Sequence, residues 1–359
     1  MKHCFILGTR PEIIKLSPLI RVAQTRGLDY CIIHTNQHYT ASMDDIFFRE
    51  LELPAPEFNL HIGSEYHSTQ TGKMLISLDE TFRKCKPDVV YVEGDTNTVM
   101  AGALAASKEQ GVAVAHVEAG LRSYDRTMPE ELNRIIADHL SDLLYAPTKL
   151  QANILASEGI DKDKIFVTGN TVVDAVAQHL EIAGQMDDPL EQFGLKPKSY
   201  AVLTMHRPGN VDDPRVFLRL VSAINALAER MPVLFPVHPR TKVAIDANKP
   251  KFHRNLHAVE PIGYLQMLRV LQQATHIITD SGGIQEEACI LQVPCITIRE
   301  NTERPETIDI GGNILVGSDE KKLLDAVDHY GRTTIEWSNP FGDGHSAERM
   351  IDIATAHVA

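Results

Sequence analysis

Three carboxylates stand where proton chemistry could use them: Asp95 in "EGDTNT" (93 to 98), Glu118 in "HVEAGLRS" (116 to 123) and Glu130 in "PEELNR" (129 to 134). A general base must lie close to the proton it takes and needs a shifted pKa, which burial near like charges supplies. Glu130 and Arg134 also have the i, i+4 spacing of an ordinary helix pair worth a few tenths of a kcal/mol, so the bland reading stays open there. His206 in "MHRPGN" and His238 in "VHPRT" each directly follow an apolar run and carry an arginine close behind. A satisfied structural histidine is the commoner case, but two such pairs at equivalent positions weaken it.

Two turns suit an oxyanion. In "DSGGIQEEA" (280 to 288), Ser281, Gly282 and Gly283 lead from an apolar run into a helical pattern. Glycines let backbone N–H groups approach an anion, and the helix dipole favours negative charge there. Glu286 and Glu287 are expected in the first helical turn, either complementing the dipole or, in the functional reading, accepting hydrogen bonds from a ribose diol. In "LGTRPEIIK" (7 to 15), Gly8 permits a tight turn, Thr9 and Glu12 have capping-box spacing and Pro11 fits the first helical turn. Arg10 adds fixed positive charge at that helix start, and Lys15 a second charge further along. Arg304 in "TERPE" (302 to 306) is a weaker candidate. The ligand these turns favour is a diphosphate with an attached nucleoside. No G-x-G-x-x-G follows the first apolar run, and "TQTGKML" lacks the Walker spacing, so neither NAD nor a P-loop is supported.

The elements that must carry these residues alternate between short apolar runs and helical patterns. Residues 3–8, 30–35, 88–95 and 112–120 are apolar on both faces and read as buried parallel strands, with helical patterns closing on Gly27 and Gly111 between them. A further run at 164–170 closes the first set, and 200–206, 232–239, 276–283 and 294–300 form a second. This predicts an α/β protein of two doubly wound domains joined near 171–199, with the polar strand ends facing a shared cleft.

The totals fit that reading. A chain of 359 residues exceeds what one core usually spans. Its net charge of −13 argues against nucleic acid or an anionic membrane surface as partner, so an anionic substrate needs a local basic pocket. No apolar stretch approaches a membrane span or a signal peptide, which predicts a soluble, cytoplasmic protein. Cys4, Cys31, Cys85, Cys289 and Cys295 are expected as reduced, buried thiols. His253 and His257 have helical i, i+4 spacing, but no apolar stripe or acidic third ligand accompanies them, so no metal site is expected.

Taken in order, "GTRPE", "EGDTNT", "HVEAGLRS", "PEELNR", "HR..N", "HP", "DSGGIQEE" and "TERPE" resemble the non-hydrolysing UDP-N-acetylglucosamine 2-epimerases, from Gly8 to about Gly317. The resemblance implies a GT-B fold with two Rossmann-like domains: residues 1–175, with a C-terminal helix within 344–359 packing back on them, and a nucleotide-binding domain of residues 176–343. It implies interconversion of UDP-N-acetylglucosamine and UDP-N-acetylmannosamine by elimination of UDP to 2-acetamidoglucal and re-addition, with no cofactor or metal, in a homodimer. By the same resemblance Asp95, Glu118, Glu130 and His206 would be catalytic. Arg10, Lys15, Arg134, His238, Ser281, Gly282, Gly283, Glu287 and Arg304 would bind substrate. The sequence departs from the family at "HRPGN", where members usually read His-Arg-x-Glu-Asn. Many bacterial members are activated by a second UDP-N-acetylglucosamine near this loop. Gln37, His38 and Gln70 retain plausible contacts for it, yet Pro208 and Gly209 predict turnover without it. Two other enzymes stay open, a family member acting on a UDP-linked 2,3-diacetamido uronic acid and a GT-B glycosyltransferase, as does a non-catalytic nucleotide-sugar binder.

Overall fold

The computed structural model describes residues 1–37, 47–332 and 336–358; the His38 contact anticipated above lies outside these. The chain divides into two compact units, Met1–Gln178 with Phe341–Ala359, and His179–Pro340.

In the first unit seven parallel strands run β3-β2-β1-β4-β5-β6-β7 across the sheet. They are β1 (Lys2–Leu7), β2 (Asp29–His34), β3 (Phe58–Asn59), β4 (Val89–Glu93), β5 (Ala113–Val117), β6 (Leu143–Ala146) and β7 (Ile165–Val167). The β4 run is buried throughout and β1 nearly so, as strands covered by helices on both faces must be. Strand order reverses between β1 and β4. At such a switch point the connecting segments diverge to opposite faces and leave a crevice beyond the strands' carboxyl ends. The segments emerging there are Gly8–Arg10 and Gly94–Asp95.

The second unit repeats the plan with β10-β9-β8-β11-β12-β13: β8 (Ala201–Thr204), β9 (Val233–Pro236), β10 (Leu256–Val259), β11 (His276–Thr279), β12 (Cys295–Thr297) and β13 (Asn313–Leu315). Its switch point falls between β8 and β11, whose ends lead into Met205–His206 and Asp280–Ser281. The Thr204 and Thr279 hydroxyls bond across it at 2.6 Å.

The C-terminal helix Ser346–Val358 belongs to the first unit and packs beside the helix Arg10–Thr25. Its buried stripe is Ala347, Met350, Ile351 and Ala354, so Ile353 is only half-buried. The Tyr145 hydroxyl donates to the Met350 carbonyl at 2.8 Å, and Asp174 accepts from the Ala347 N–H at 2.9 Å.

One expectation needs correction. Cys31 and Cys85 form a disulfide rather than staying reduced, while Cys4, Cys289 and Cys295 are free. The partners are 54 residues apart and meet only because the helix His67–Cys85 packs on the sheet, a contact that composition does not reveal. His257 lies on β10 and His253 in the segment before it, in keeping with the absence of a helical apolar stripe there. Among the described residues, no helix is long and apolar enough to cross a membrane.

Candidate active site

Each switch point carries its own cluster. In the first unit Gly8 is required by close approach, since a Cβ there would lie 2.1 Å from Thr35 Oγ1 and 2.4 Å from Thr98 Oγ1. The Glu12 carboxylate turns back to accept from the Gly8 and Thr9 N–H groups at 2.5 and 3.0 Å, the glutamate arm of the anticipated capping box, and also accepts from the Thr96 hydroxyl. Burial raises its pKa to about 7 despite these bonds. Arg10 stays exposed at the helix start, its guanidinium 5.8 Å from the Phe47 ring centroid.

Lys15 was expected at a diphosphate. Its ammonium stands between two carboxylates, 2.7 Å from Glu118 and 3.3 Å from Glu93. Glu118 sits just past β5 with φ +67°, in the left-handed region disfavoured for any residue with a Cβ, and such strain is commonest where function over-determines the backbone. Its other oxygen accepts from Asn170 Nδ2 at 3.0 Å. Asp95 is ion-paired with Arg134, which also reaches Glu131 at 3.1 Å. Glu130 is half-buried at the start of the helix Pro129–Leu140.

Beneath this layer lies support that the sequence reading missed. Glu131 accepts from the Ser123 N–H and hydroxyl and the Tyr124 N–H at 2.8–2.9 Å. Burial opposes its ionisation, but these bonds outweigh it and hold the carboxyl below its ordinary range. His116 places Nδ1 2.7 Å from Asp138 and Nε2 2.9 Å from the Gly94 carbonyl. Both partners are acceptors, so the ring is a protonated double donor; burial works against that charge, and Asp138 more than offsets it. Asp138 also accepts from Arg122 and the Gly120 N–H, which braces the turn carrying Glu118. The histidine in "HVEAG" and the second glutamate in "PEE" were visible signals for this layer.

In the second unit Asp280 is the residue the reading passed over, although it opens the quoted motif. Fully buried, it accepts from the N–H groups of His206 and Arg207 at 2.9 Å and from Asn210 Nδ2 at 3.0 Å, and it holds His206 Nδ1 at 3.0 Å. Burial pushes its pKa up, but the His206 and Arg207 hydrogen bonds win and keep it low. His206 Nδ1 is therefore committed to Asp280, and Nε2 is its working edge. His238 caps the helix Pro239–Asn248 by accepting the Arg240 N–H at 3.2 Å, which leaves its proton on Nε2. The two rings lie 5.2 Å apart and line, with Ser281, a cavity of about 200 Å³ walled by Pro236, Ile262 and Met267.

Ser281 is the N-cap of the helix Gly282–Ile290, and a Cβ on Gly282 or Gly283 would meet nothing nearer than 3.9 Å. The glycines thus leave open space before the helix start. Glu286 and Glu287 fall beyond the first turn, because the helix starts at Gly282, so their predicted dipole role does not hold. Glu286 instead pairs with Arg304 Nε at 2.8 Å. Glu303 is chelated by Arg299 through two 2.8 Å bonds; burial opposes the effect, yet Arg299 first and then Arg207 bring its pKa to about 2. Gln37 and Gln70, proposed as effector contacts, are engaged within the first unit. Gln37 accepts from Thr98 Oγ1 at 2.8 Å, and Gln70 spans the Gln37 and Gly63 carbonyls and Asn97. Cys4 lies beside the Cys31–Cys85 disulfide, with the three sulfurs within 4.8 Å of one another, and two of them are tied in that bridge.

Residues 21–355 match the sequence profile of UDP-N-acetylglucosamine 2-epimerase. The chain is 52% identical to the UDP-N-acetylglucosamine 2-epimerase of Methanocaldococcus jannaschii, covering 99% of each chain. A crystal structure of the epimerase from that organism, in complex with UDP-GlcNAc and UDP, superposes with a TM-score of 0.89 over 99% of this chain and 100% of the other. A UDP-2,3-diacetamido-2,3-dideoxy-D-glucuronate 2-epimerase from Pseudomonas aeruginosa is 37% identical, covering 98% of this chain and 99% of that one.

Proposed function

The chain belongs to the UDP-N-acetylglucosamine 2-epimerase family, and we propose from its two switch-point clusters that it interconverts UDP-N-acetylglucosamine and UDP-N-acetylmannosamine by eliminating and re-adding UDP. The observation that carries the chemistry is the pair Asp95 and Glu118, each tethered to its own cation at the ends of β4 and β5. Inversion at C2 demands that a proton leave one face of the sugar and return to the other, so one fixed base is not enough. Two separately anchored carboxylates, with Glu130 as a third candidate, meet that demand without a metal.

The second unit is assigned the leaving group. Departing UDP carries developing negative charge, which Ser281, the open helix start at Gly282 and Gly283, and His206 Nε2 can neutralise. The partly apolar cavity beside His238 suits a planar base, and Glu287 is assigned to the ribose. Arg10 is proposed to add charge at the diphosphate, while Arg134 acts through Asp95 and Arg304 through Glu286. Lys15 is reassigned from diphosphate to carboxylate anchoring on its 2.7 Å contact with Glu118. Identity of 52% to the N-acetylglucosamine enzyme, against 37% to the diacetamido uronate enzyme, favours the former substrate. A homodimer without nucleic-acid or membrane partners completes the proposal.

Incubation with UDP-N-acetylglucosamine in deuterated water tests it. Proton NMR should show UDP-N-acetylmannosamine appearing and C2 of both sugars exchanging to deuterium. Free sugar with UDP and no C2 label would point to transfer or hydrolysis and reject the epimerase.

A further inference from the structure

Glu93 ends β4 directly beside β5, where its backbone pairs with Val117, the residue before Glu118. Both glutamate side chains are almost wholly buried, 2% and 5% exposed, and Lys15 bridges them. Two ionised carboxylates with one ammonium would leave a net negative charge out of water, which low-dielectric surroundings penalise heavily. A single proton retained by the pair brings the three groups to neutrality, and the second charge no longer has to be buried.

We propose that Glu93 is a positioning residue that holds this proton against Glu118 and so sets the proton affinity of the Glu118 carboxylate during turnover. Protonated Glu93, Lys15 and, at 3.0 Å, Asn170 then all donate to Glu118. When Glu118 takes a proton from the substrate carbon the pair carries two, and when it gives the proton up the pair returns to one. Burial and the balance of charged groups facing Glu93 place the resting proton on it. Burial acts first to raise its pKa well above the ordinary range; Lys15 of the helix Arg10–Thr25 opposes this, while Glu118 and Glu12 reinforce it. Glu93 is the deeper carboxylate and lacks the Asn170 donor that favours ionised Glu118.

This inference rests on Glu118 acting as acid or base in the epimerase reading, and pH–rate profiles of wild type, Glu93→Gln and Glu93→Leu test it. Gln stays neutral and still donates, imitating the protonated acid; Leu keeps comparable volume without a donor. Gln should retain near-wild-type kcat at neutral pH and lose the alkaline limb that marks escape of the shared proton. Leu should lose roughly ten- to a hundredfold in kcat, the worth of a hydrogen bond to a charged group, with its acidic limb displaced to higher pH. Overturning results are a Gln variant that keeps the wild-type alkaline limb, or a Leu variant whose kcat and profile match those of Gln. If Leu does not fold by circular dichroism, the Gln profile alone decides. A wild-type enzyme inert in the deuterium assay would defeat the epimerase reading itself, which is a separate outcome.

Discussion

Replacing Glu12 with glutamine should stabilise the protein above neutral pH, against the usual expectation for a residue with three hydrogen bonds. Glu12 is 1% exposed, and burial moves its pKa from an ordinary 4.5 to about 7. The folded state therefore binds this proton more tightly than the unfolded chain, so stability contributed here declines as pH rises from about 4.5 to about 7 and stays low beyond. That difference corresponds to about 3 kcal/mol at 1.36 kcal/mol per unit. Glutamine can keep the contacts: its carbonyl accepts from the Gly8 and Thr9 N–H groups, and its amide donates to the Thr96 hydroxyl oxygen. Thermal midpoints of wild type and Glu12→Gln across pH 4 to 9 check this. The curves should coincide near the acidic end, part through pH 5 to 7 and run parallel above it with the variant higher. A variant less stable at pH 8, or one displaced equally at every pH, would show that the carboxylate is not the buried burden its surroundings imply.

Asp280→Asn should cost roughly 1–3 kcal/mol in denaturant midpoint and lower kcat, because His206 and the N–H groups of His206 and Arg207 lose their common carboxylate; an unchanged kcat would remove His206 from the chemistry. Alkylation of the denatured, unreduced protein should add three labels and, after reduction, five, as read by intact mass; five without reductant would refute the Cys31–Cys85 bridge. Initial rates should rise hyperbolically with UDP-N-acetylmannosamine alone, since Gly209 supplies no carboxylate and Gln37 and Gln70 are already bonded to their own unit. A strict requirement for added UDP-N-acetylglucosamine would contradict that.

What the sequence made legible divides along a physical line. Apolar runs announced β1, β2, β4, β5, β7, β8, β9, β11 and β12; in most of them burial on both faces leaves no polar alternation, while β7 at the sheet edge stays partly exposed. The strands that escaped are short or disguised. β3 has two residues and β13 three, β10 mixes His257 into its run, and β6 is four residues that begin just after the helix Pro129–Leu140. The predicted runs 88–95, 112–120 and 276–283 overshot β4, β5 and β11 for one reason: each continues past the sheet into the turn that holds candidate site residues. Site residue types were legible in those turns, whereas pairing was not. Lys15 finds Glu118 across 103 positions and Arg134 finds Asp95 across 39, and no local pattern encodes either meeting. Strand order sets both: Lys15 follows β1 and reaches the end of β5 past β4, and Arg134 lies on the helix after β5, whose neighbour β4 leads into Asp95. A reversal between β1 and β4 brings "GTRPE" beside "EGD", one between β8 and β11 brings "HRPGN" beside "DSGG", and charges unremarkable in sequence become buried partners once those neighbours are set.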